Sequence, residues 1–145
     1  MTIQRMDNVG VVVDDLEAAV AFFVELGLEL VGEAVVEGSW VERIIGLENV
    51  RADIVMLRTP DGHSQLELTR FHTPAAVNSE SNGQPNALGI RRIMFAVDDV
   101  DDVVSRLQAR GGELVGEVVR YENSYRLCYI SGPAGMLVGV AEQLS

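Results

Sequence analysis

The sequence predicts an α+β fold of two tandem βαβββ modules, whose mixed sheets together form a curved cup. Two observations support this prediction. Residues 13–33 and 97–117 align without a gap, and ten of the 21 aligned positions are identical, including charged and glycine positions that common apolar spacing does not explain. In each half, a strand-like segment is followed by one with helical spacing and then by further strand-like segments. We therefore expect one folding unit to occur twice.

The first strand and helix of each half are indicated by their apolar spacing. Large side chains recur at every second position from Val9 to Val13, which is the period of a strand. From Leu16 to Phe23 they recur at helical spacing, after the capping residues Asp14 and Asp15 and before Gly27, which we expect to end the helix. The equivalents in the second half are Ile93–Val97, Val100–Leu107, Asp98, Asp99 and Gly111.

Later strands follow in both halves and are separated by turn residues. Strands are predicted at 52–59, 64–71, 125–130 and 136–141, with proline- and glycine-containing turns at 59–62 and 131–135. Residues rich in Ser, Asn, Gly and Pro indicate a linker. The predicted organisation is a single domain with module one at 1–72, the linker at 73–88 and module two at 89–145.

The first half contains an insertion with the spacing of one or two helical turns. Its apolar residues are Trp40, Val41, Ile44 and Ile45. Three interpretations remain open for the 40–46 segment: a lid over a pocket, a dimer contact, or a small extension of the core.

Composition and charge limit the classes of function. The chain has 145 residues, 48% of them hydrophobic, which is enough for the core of one domain. Its 22 acidic and 11 basic residues give a formal net charge of −11, which argues against nucleic-acid and membrane-surface partners. No apolar run is long enough for a bilayer and no export signal is visible, so we expect a cytoplasmic protein. The single cysteine, Cys128, excludes an internal disulfide.

Strand alternation predicts which side chains line the cup. If the helices cover one face of each sheet, Asn8, Glu67 and Gly139 lie on the other face, as do Arg92 and Met94. An acid and an arginine on such walls are unusual in an inert core, because a charge removed from water is costly unless it is paired. The cup is therefore the candidate small-molecule site.

The sequence resembles the vicinal oxygen chelate superfamily. The resemblance is carried by the segment Met6–Leu16, by the matching segment Arg92–Val100 and by the Pro-x-Gly turns before strands. That group includes glyoxalases, methylmalonyl-CoA epimerases, extradiol dioxygenases and bleomycin-resistance proteins. The resemblance implies paired βαβββ modules and, in the enzymes, a divalent metal held by up to four inward side chains. The corresponding positions here are Asn8, Glu67, Arg92 and Gly139, of which only Glu67 matches a usual ligand. The resemblance therefore implies a degenerate metal site, and if a divalent metal is retained we expect Glu67 to be its ligand.

Two roles are open for Glu67 and Arg92, which we expect to form an ion pair. The guanidinium either replaces the missing metal as a structural partner, or it orients a substrate while Glu67 acts as a general base. Trp40, Met94 and Tyr129 are further candidate substrate-binding residues, with Asn8 and Gly139. Strand parity alone does not give the sheet face on which Tyr129 lies.

Two functions follow from the resemblance. One is a glyoxalase-like lyase or isomerase, of the lactoylglutathione lyase or epimerase type, with Glu67 as the general base. The other is a metal-free binding protein of the bleomycin-resistance kind, which sequesters a drug or metabolite. In either case we expect a homodimer with a small-molecule ligand, because open sheet edges often pair.

Overall fold

A computed structural model describes residues 2–78 and 84–144 of the chain. The chain divides into two compact units, Met1–Asn78 and Ser79–Ser145. Residues 79–83 of the predicted linker, and residues 1 and 145 at the ends of the predicted modules, lie outside the described residues. The boundaries 1–72, 73–88 and 89–145 stay a prediction.

The first unit is a four-stranded mixed sheet with two helices. Its sheet order is β1-β4-β3-β2, in which β1 runs parallel to β4 and the other pairs are antiparallel. The elements are β1 (Val9–Val12), α1 (Leu16–Leu26), β2 (Glu29–Glu37), α2 (Ser39–Ile45), β3 (Arg51–Arg58) and β4 (Gln65–Thr73).

Helix α1 begins and ends where the sequence predicts. The Asp15 carboxylate accepts a hydrogen bond from the Ala18 N–H at 3.0 Å, which satisfies one of the unpaired donors of the first turn. Gly27 follows the last turn with φ 126°, a conformation that disfavours other residues, and its N–H donates to the carbonyl of Phe23. The apolar stripe of α1 packs on β4, where Leu66 and Leu68 are buried, and this contact forms the core of the unit.

The second unit also begins with a strand, a helix and a further strand, but among its described residues it has no counterpart of α2, and its sheet has five strands. The strands lie in the order β5-β9-β8-β6, with β7 also paired to β8, and β5 runs parallel to β9. The elements are β5 (Arg92–Val97), α3 (Val100–Gln108), β6 (Glu113–Leu114), β7 (Val119–Tyr121), β8 (Tyr125–Ser131) and β9 (Leu137–Gln143). The predicted α+β fold of two βαβββ modules is confirmed.

The repeated sequence does not give identical structures in the two units. The Glu-Leu-Val-Gly-Glu segment continues as the nine-residue strand β2 in the first unit, but it forms only the two-residue strand β6 in the second. The Val115 N–H donates a hydrogen bond to the carbonyl of Tyr129, and Val119 pairs with Leu127. The segment from 115 to 119 therefore has more residues than the part of β8 opposite it, and the extra residues interrupt the ladder. Helix α3 also ends earlier than predicted, because its cap is Ala109 rather than Gly111.

No helix among residues 2–78 and 84–144 combines the length and apolar character needed to cross a bilayer.

Candidate functional site

The second unit presents one sheet face away from α3, and four predicted site residues lie on it. Alternation along β8 and β9 buries Cys128, Ile130, Val138 and Val140 on the side that packs against α3. The intervening residues therefore lie on the opposite face. We call this surface, formed by Arg92, Met94, Tyr129 and Gly139, the open face.

The strand register brings the four side chains of the open face together. Gly139 of β9 lies directly between Met94 of β5 and Tyr129 of β8. The guanidinium of Arg92 lies over the Tyr129 ring, 5.2 Å from its centroid, within the range of a cation–π interaction. An exposed cation is thus held against an aromatic ring.

Gly139 is the central position of the open face, and the space that its side chain would take is already filled. A Cβ placed on Gly139 would lie 2.7 Å from the Met94 sulfur and 2.8 Å from its terminal methyl. The aromatic ring of Tyr129 would be 3.4 Å away. The thioether therefore occupies the place of any side chain that a residue at 139 would project.

The residues at the family's metal-ligand positions do not fit a divalent metal. In the second unit, Arg92 carries a permanent positive charge and Gly139 has no side chain, so neither can be a ligand. In the first unit, Glu67 and Asn8 offer one carboxylate and one weak amide oxygen. The described part of the chain has no cluster of three or more His, Cys, Asp or Glu residues suited to a metal ion.

Glu67 lies on β4 in the first unit, on the face opposite α1. It is half-buried, and its Oε1 accepts a hydrogen bond from the Thr69 hydroxyl at 3.5 Å. Its partners across the sheet are Gly10 on β1 and Met56 on β3, which bring no charge to it. Asn8 is exposed and lies just before β1. Because Glu67 and Arg92 belong to different units, the ion pair between them stays a prediction.

The predicted inserted helix is present as α2. Val41 is buried, and the Glu42 carboxylate accepts a hydrogen bond from the Val50 N–H at 3.3 Å. Trp40 is 56% exposed and Ile44 is 74% exposed, so most of the apolar surface of α2 faces outward. The roles of α2 as a lid or dimer contact, and of Trp40 as a substrate-binding residue, stay predictions.

A polar cluster on the helix side of the first sheet was missed by the sequence analysis. Asp53 of β3 accepts from Arg70 Nη2 at 2.8 Å, and its Oδ2 also lies 2.8 Å from His72 Nε2. The hydrogen bond from Arg70, followed by that to His72, lowers the pKa of the Asp53 carboxyl. We call these three residues the Asp53 cluster.

The cluster escaped prediction because the expected strand ended at Phe71. Strand β4 instead continues to Thr73, which keeps His72 inside the ladder. The pairing of Asp53 with Arg70 depends on the register of β3 with β4, which sequence alternation does not give. The available signal was Arg-x-His, whose spacing places both side chains on one strand face.

Known proteins with the same fold match this chain over nearly its whole length. A family model described as Glyoxalase/Bleomycin resistance protein/Dioxygenase superfamily matches residues 5–140. The crystal structure of a glyoxalase family protein from Bacillus cereus is 53% identical with a TM-score of 0.95, over 100% of this chain and 97% of that one. A search of curated proteins found no match to this chain.

More distant solved structures share the fold alone. A glyoxalase family protein from Enterococcus faecalis is 21% identical with a TM-score of 0.65, over 98% of this chain and 100% of that one. TnmS3, an antibiotic binding protein from a Streptomyces species, is 23% identical with a TM-score of 0.61, over 99% and 98%. The match over residues 5–140 and the close Bacillus relative agree with the resemblance of the sequence motifs. The chain belongs to the glyoxalase/bleomycin resistance protein/dioxygenase superfamily.

Proposed function

We propose that this chain binds a small organic molecule on the open face without a metal ion. The observation that carries this proposal is the Met94 thioether, which fills the space beside Gly139 where a ligand side chain would project. Methionine adapts its shape to organic partners and is a poor ligand for hard divalent cations. The antibiotic-binding relative TnmS3 has the same fold, so the fold is compatible with this function.

The chemistry of the open face favours a planar molecule with an acidic group. Arg92 presents a guanidinium that pairs with carboxylates through two parallel hydrogen bonds. The cation–π contact with Tyr129 holds that guanidinium in place, which reduces the freedom that Arg92 loses on binding. Met94 and the Tyr129 ring supply apolar contact for the body of the ligand.

The test is titration with 2-naphthoate, a planar carboxylate, and with its neutral amide. Protein purified without chelator is first measured for bound metal, and we expect less than stoichiometric amounts. Binding followed by NMR shifts should then favour the carboxylate and should weaken roughly tenfold in Arg92→Met, as expected for loss of a charge-assisted hydrogen bond. Arg120→Met, which removes the same charge from another exposed position in the unit, is the control. Stoichiometric metal, or equal weakening by both variants, would contradict the proposal.

A second candidate function is a glyoxalase-like lyase or isomerase with Glu67 as its general base. The half-buried carboxylate of Glu67 favours this function. In the described first unit no cationic side chain lies within ion-pair distance of Glu67, so its charge is available to accept a proton. A base in this role accepts a proton from carbon next to a carbonyl and returns it to a neighbouring atom. Lactoylglutathione lyase activity that is lost in Glu67→Gln, but kept in Gln65→Glu with Glu67 intact, would favour this function.

We also propose that the protein is a cytoplasmic homodimer without a nucleic-acid partner. Strand β2 is at the edge of its sheet and is exposed along almost its whole length, including Leu30, Val31 and Val35. Such an edge pairs readily with another chain. Light scattering at micromolar concentration should give twice the chain mass of 15.8 kDa; the monomer mass would contradict the proposal.

A further inference from the structure

A cavity lies on the helix side of the first sheet, on the face opposite the one that carries Glu67. It has a volume of about 640 Å³, within the range of sites for small organic ligands. Strand β2 is the outermost strand, and α1 packs mainly on β4, so the space between α1 and the outer strands is left open. All of the residues that line the cavity belong to the first unit. Its lining is Leu16, Glu17 and Val20 of α1, with Glu33, Ala34, Val35, Asp53, Ile54, Val55 and Arg70 of the sheet.

The walls of the cavity are apolar at one end and charged at the other. Leu16 and Val55 are buried core residues that form part of the apolar wall, while Val35 is 55% exposed. Arg70 is the cationic side chain of the lining, and its Nη2 donates to Asp53 at 2.8 Å. The Arg70 Nε is buried, so it offers no accessible donor to a ligand. Asp53 therefore neutralises Arg70, and the low pKa of this carboxyl keeps it ionised at neutral pH.

Two carboxylates of the lining remain without a countercharge. Glu17, in the first turn of α1, and Glu33, on β2, are both exposed and both border the cavity. Among the residues that the structure describes, neither has an ion-pair or hydrogen-bond partner. With Asp53 and Arg70 paired, the formal charge of the lining is set by these two glutamates. An apolar wall under two exposed carboxylates favours a molecule with a positive charge and a hydrophobic body.

We propose that this cavity is a second binding site, which takes small hydrophobic amines. The ammonium group lies between Glu17 and Glu33, and the hydrocarbon part lies on Val20, Val35 and Val55. The site is independent of the proposed function, because it uses neither Arg92 nor Glu67.

The test uses three probes of equal length: 4-phenylbutylamine, 4-phenylbutan-1-ol and 4-phenylbutanoate. Two-dimensional NMR of labelled protein measures affinity and identifies the residues whose amide signals shift. We expect the amine to bind most tightly and the carboxylate most weakly. Amide shifts from the amine should cluster at residues 16–20, 33–35, 53–55 and 70. Raising NaCl from 50 to 500 mM should weaken binding of the amine but not of the alcohol.

Variants separate local charge from the general acidity of the chain. The double variant Glu17→Gln/Glu33→Gln should weaken amine binding by roughly tenfold and leave alcohol binding unchanged, the scale expected for two exposed ion pairs. Glu37→Gln, on the same strand but outside the lining, removes one of the same charges and should have little effect. Val35→Phe fills the cavity from an exposed position, so it should block binding of both the amine and the alcohol. Circular dichroism should show that the variant stays folded.

The proposal is overturned by equal affinity for all three probes, by amine shifts centred on other residues, or by equal weakening in Glu37→Gln and the double variant. The proposal is also overturned if the parent protein does not bind the amine, is a dimer by light scattering, and becomes a monomer in Val35→Phe. In that case a second copy of the chain covers the cavity. Loss of 2-naphthoate binding in Arg92→Met is measured separately, so failure of either proposal does not decide the other.

Discussion

Replacing Gly139 with alanine tests the packing at the centre of the open face. The added methyl group would lie 2.7 Å from the Met94 sulfur and 2.8 Å from its methyl, closer than carbon and sulfur atoms approach. Met94 must therefore leave its position. It can do so at modest cost, because it is 42% exposed and its side chain is flexible.

Two opposing effects set the size of the change in stability. Forcing an extra methyl into a packed site costs about 1–3 kcal/mol, and the mobile Met94 places this case at the lower end. Replacing a strand glycine restricts the unfolded chain and contributes about 0.4–1 kcal/mol in the other direction. Gly139→Ala should therefore destabilise the protein by about 1 kcal/mol or less. In a Met94→Ala background the clash is absent, and the same substitution should stabilise it by about 0.5 kcal/mol.

A double-mutant cycle measured by urea unfolding gives the decisive quantity. The coupling free energy between Gly139→Ala and Met94→Ala should be about 1 kcal/mol, which is above the usual additivity error. The matched control pairs Gly139→Ala with Leu127→Ala, which changes a neighbouring strand without touching the added methyl. Additive effects in the Met94 cycle would refute the packing described here, and with it the main support for metal-free binding.

Three further predictions concern the core, the thiol and acid stability. Leu68→Ala should lower the free energy of unfolding by about 2–5 kcal/mol, because Leu68 is fully buried under α1; a loss below about 1 kcal/mol in urea would disagree. Burial raises the pKa of the Cys128 thiol, so Ellman's reagent at pH 8 should react quickly only after unfolding, and stoichiometric reaction of the folded protein within seconds would contradict this. The hydrogen bonds from Arg126 lower the pKa of Asp101, so this pair contributes stability above the unfolded pKa of about 3.9 and loses it as the pH falls through the folded value. Urea unfolding should therefore separate Asp101→Asn from the parent at pH 7, and the gap should shrink progressively as the pH falls below about 3.9; a gap that stays constant with pH would contradict the pairing.

Most of the fold could be predicted because the sequence contains an internal repeat, so each element of the module is indicated in two places. The cap at Asp15, the glycine after α1 and the alternation along β4 each depend on local chemistry, so they are visible in a short window of sequence. The interruption between β6 and β7 was not visible. It depends on how many residues lie opposite Tyr129 and Leu127, and the repeated sequence conceals that difference in register.

The open face and the Asp53 cluster show where prediction of a site stops. Strand parity placed Arg92, Met94 and Gly139 on one face, and the structure agrees on that point. It could not settle the face of Tyr129, whose position under the Arg92 guanidinium depends on the pairing of β8 with β9. The Asp53 cluster needs a long-range register as well. Contacts between side chains on neighbouring strands depend on the register of those strands. Local sequence patterns indicate the face of a residue but not the residue that lies opposite it.

The parallel pairing of the first and last strands has a consequence for synthesis on the ribosome. Val9 of β1 aligns with Leu66 of β4, and Arg92 of β5 aligns with Leu137 of β9, so each sheet is completed by the strand made last. The amino-terminal unit can close once residue 73 has emerged from the exit tunnel, whereas the second sheet can close only after residue 143 has emerged. During that interval β5 lacks β9, the strand with which it pairs, and its unpaired edge is available to other chains.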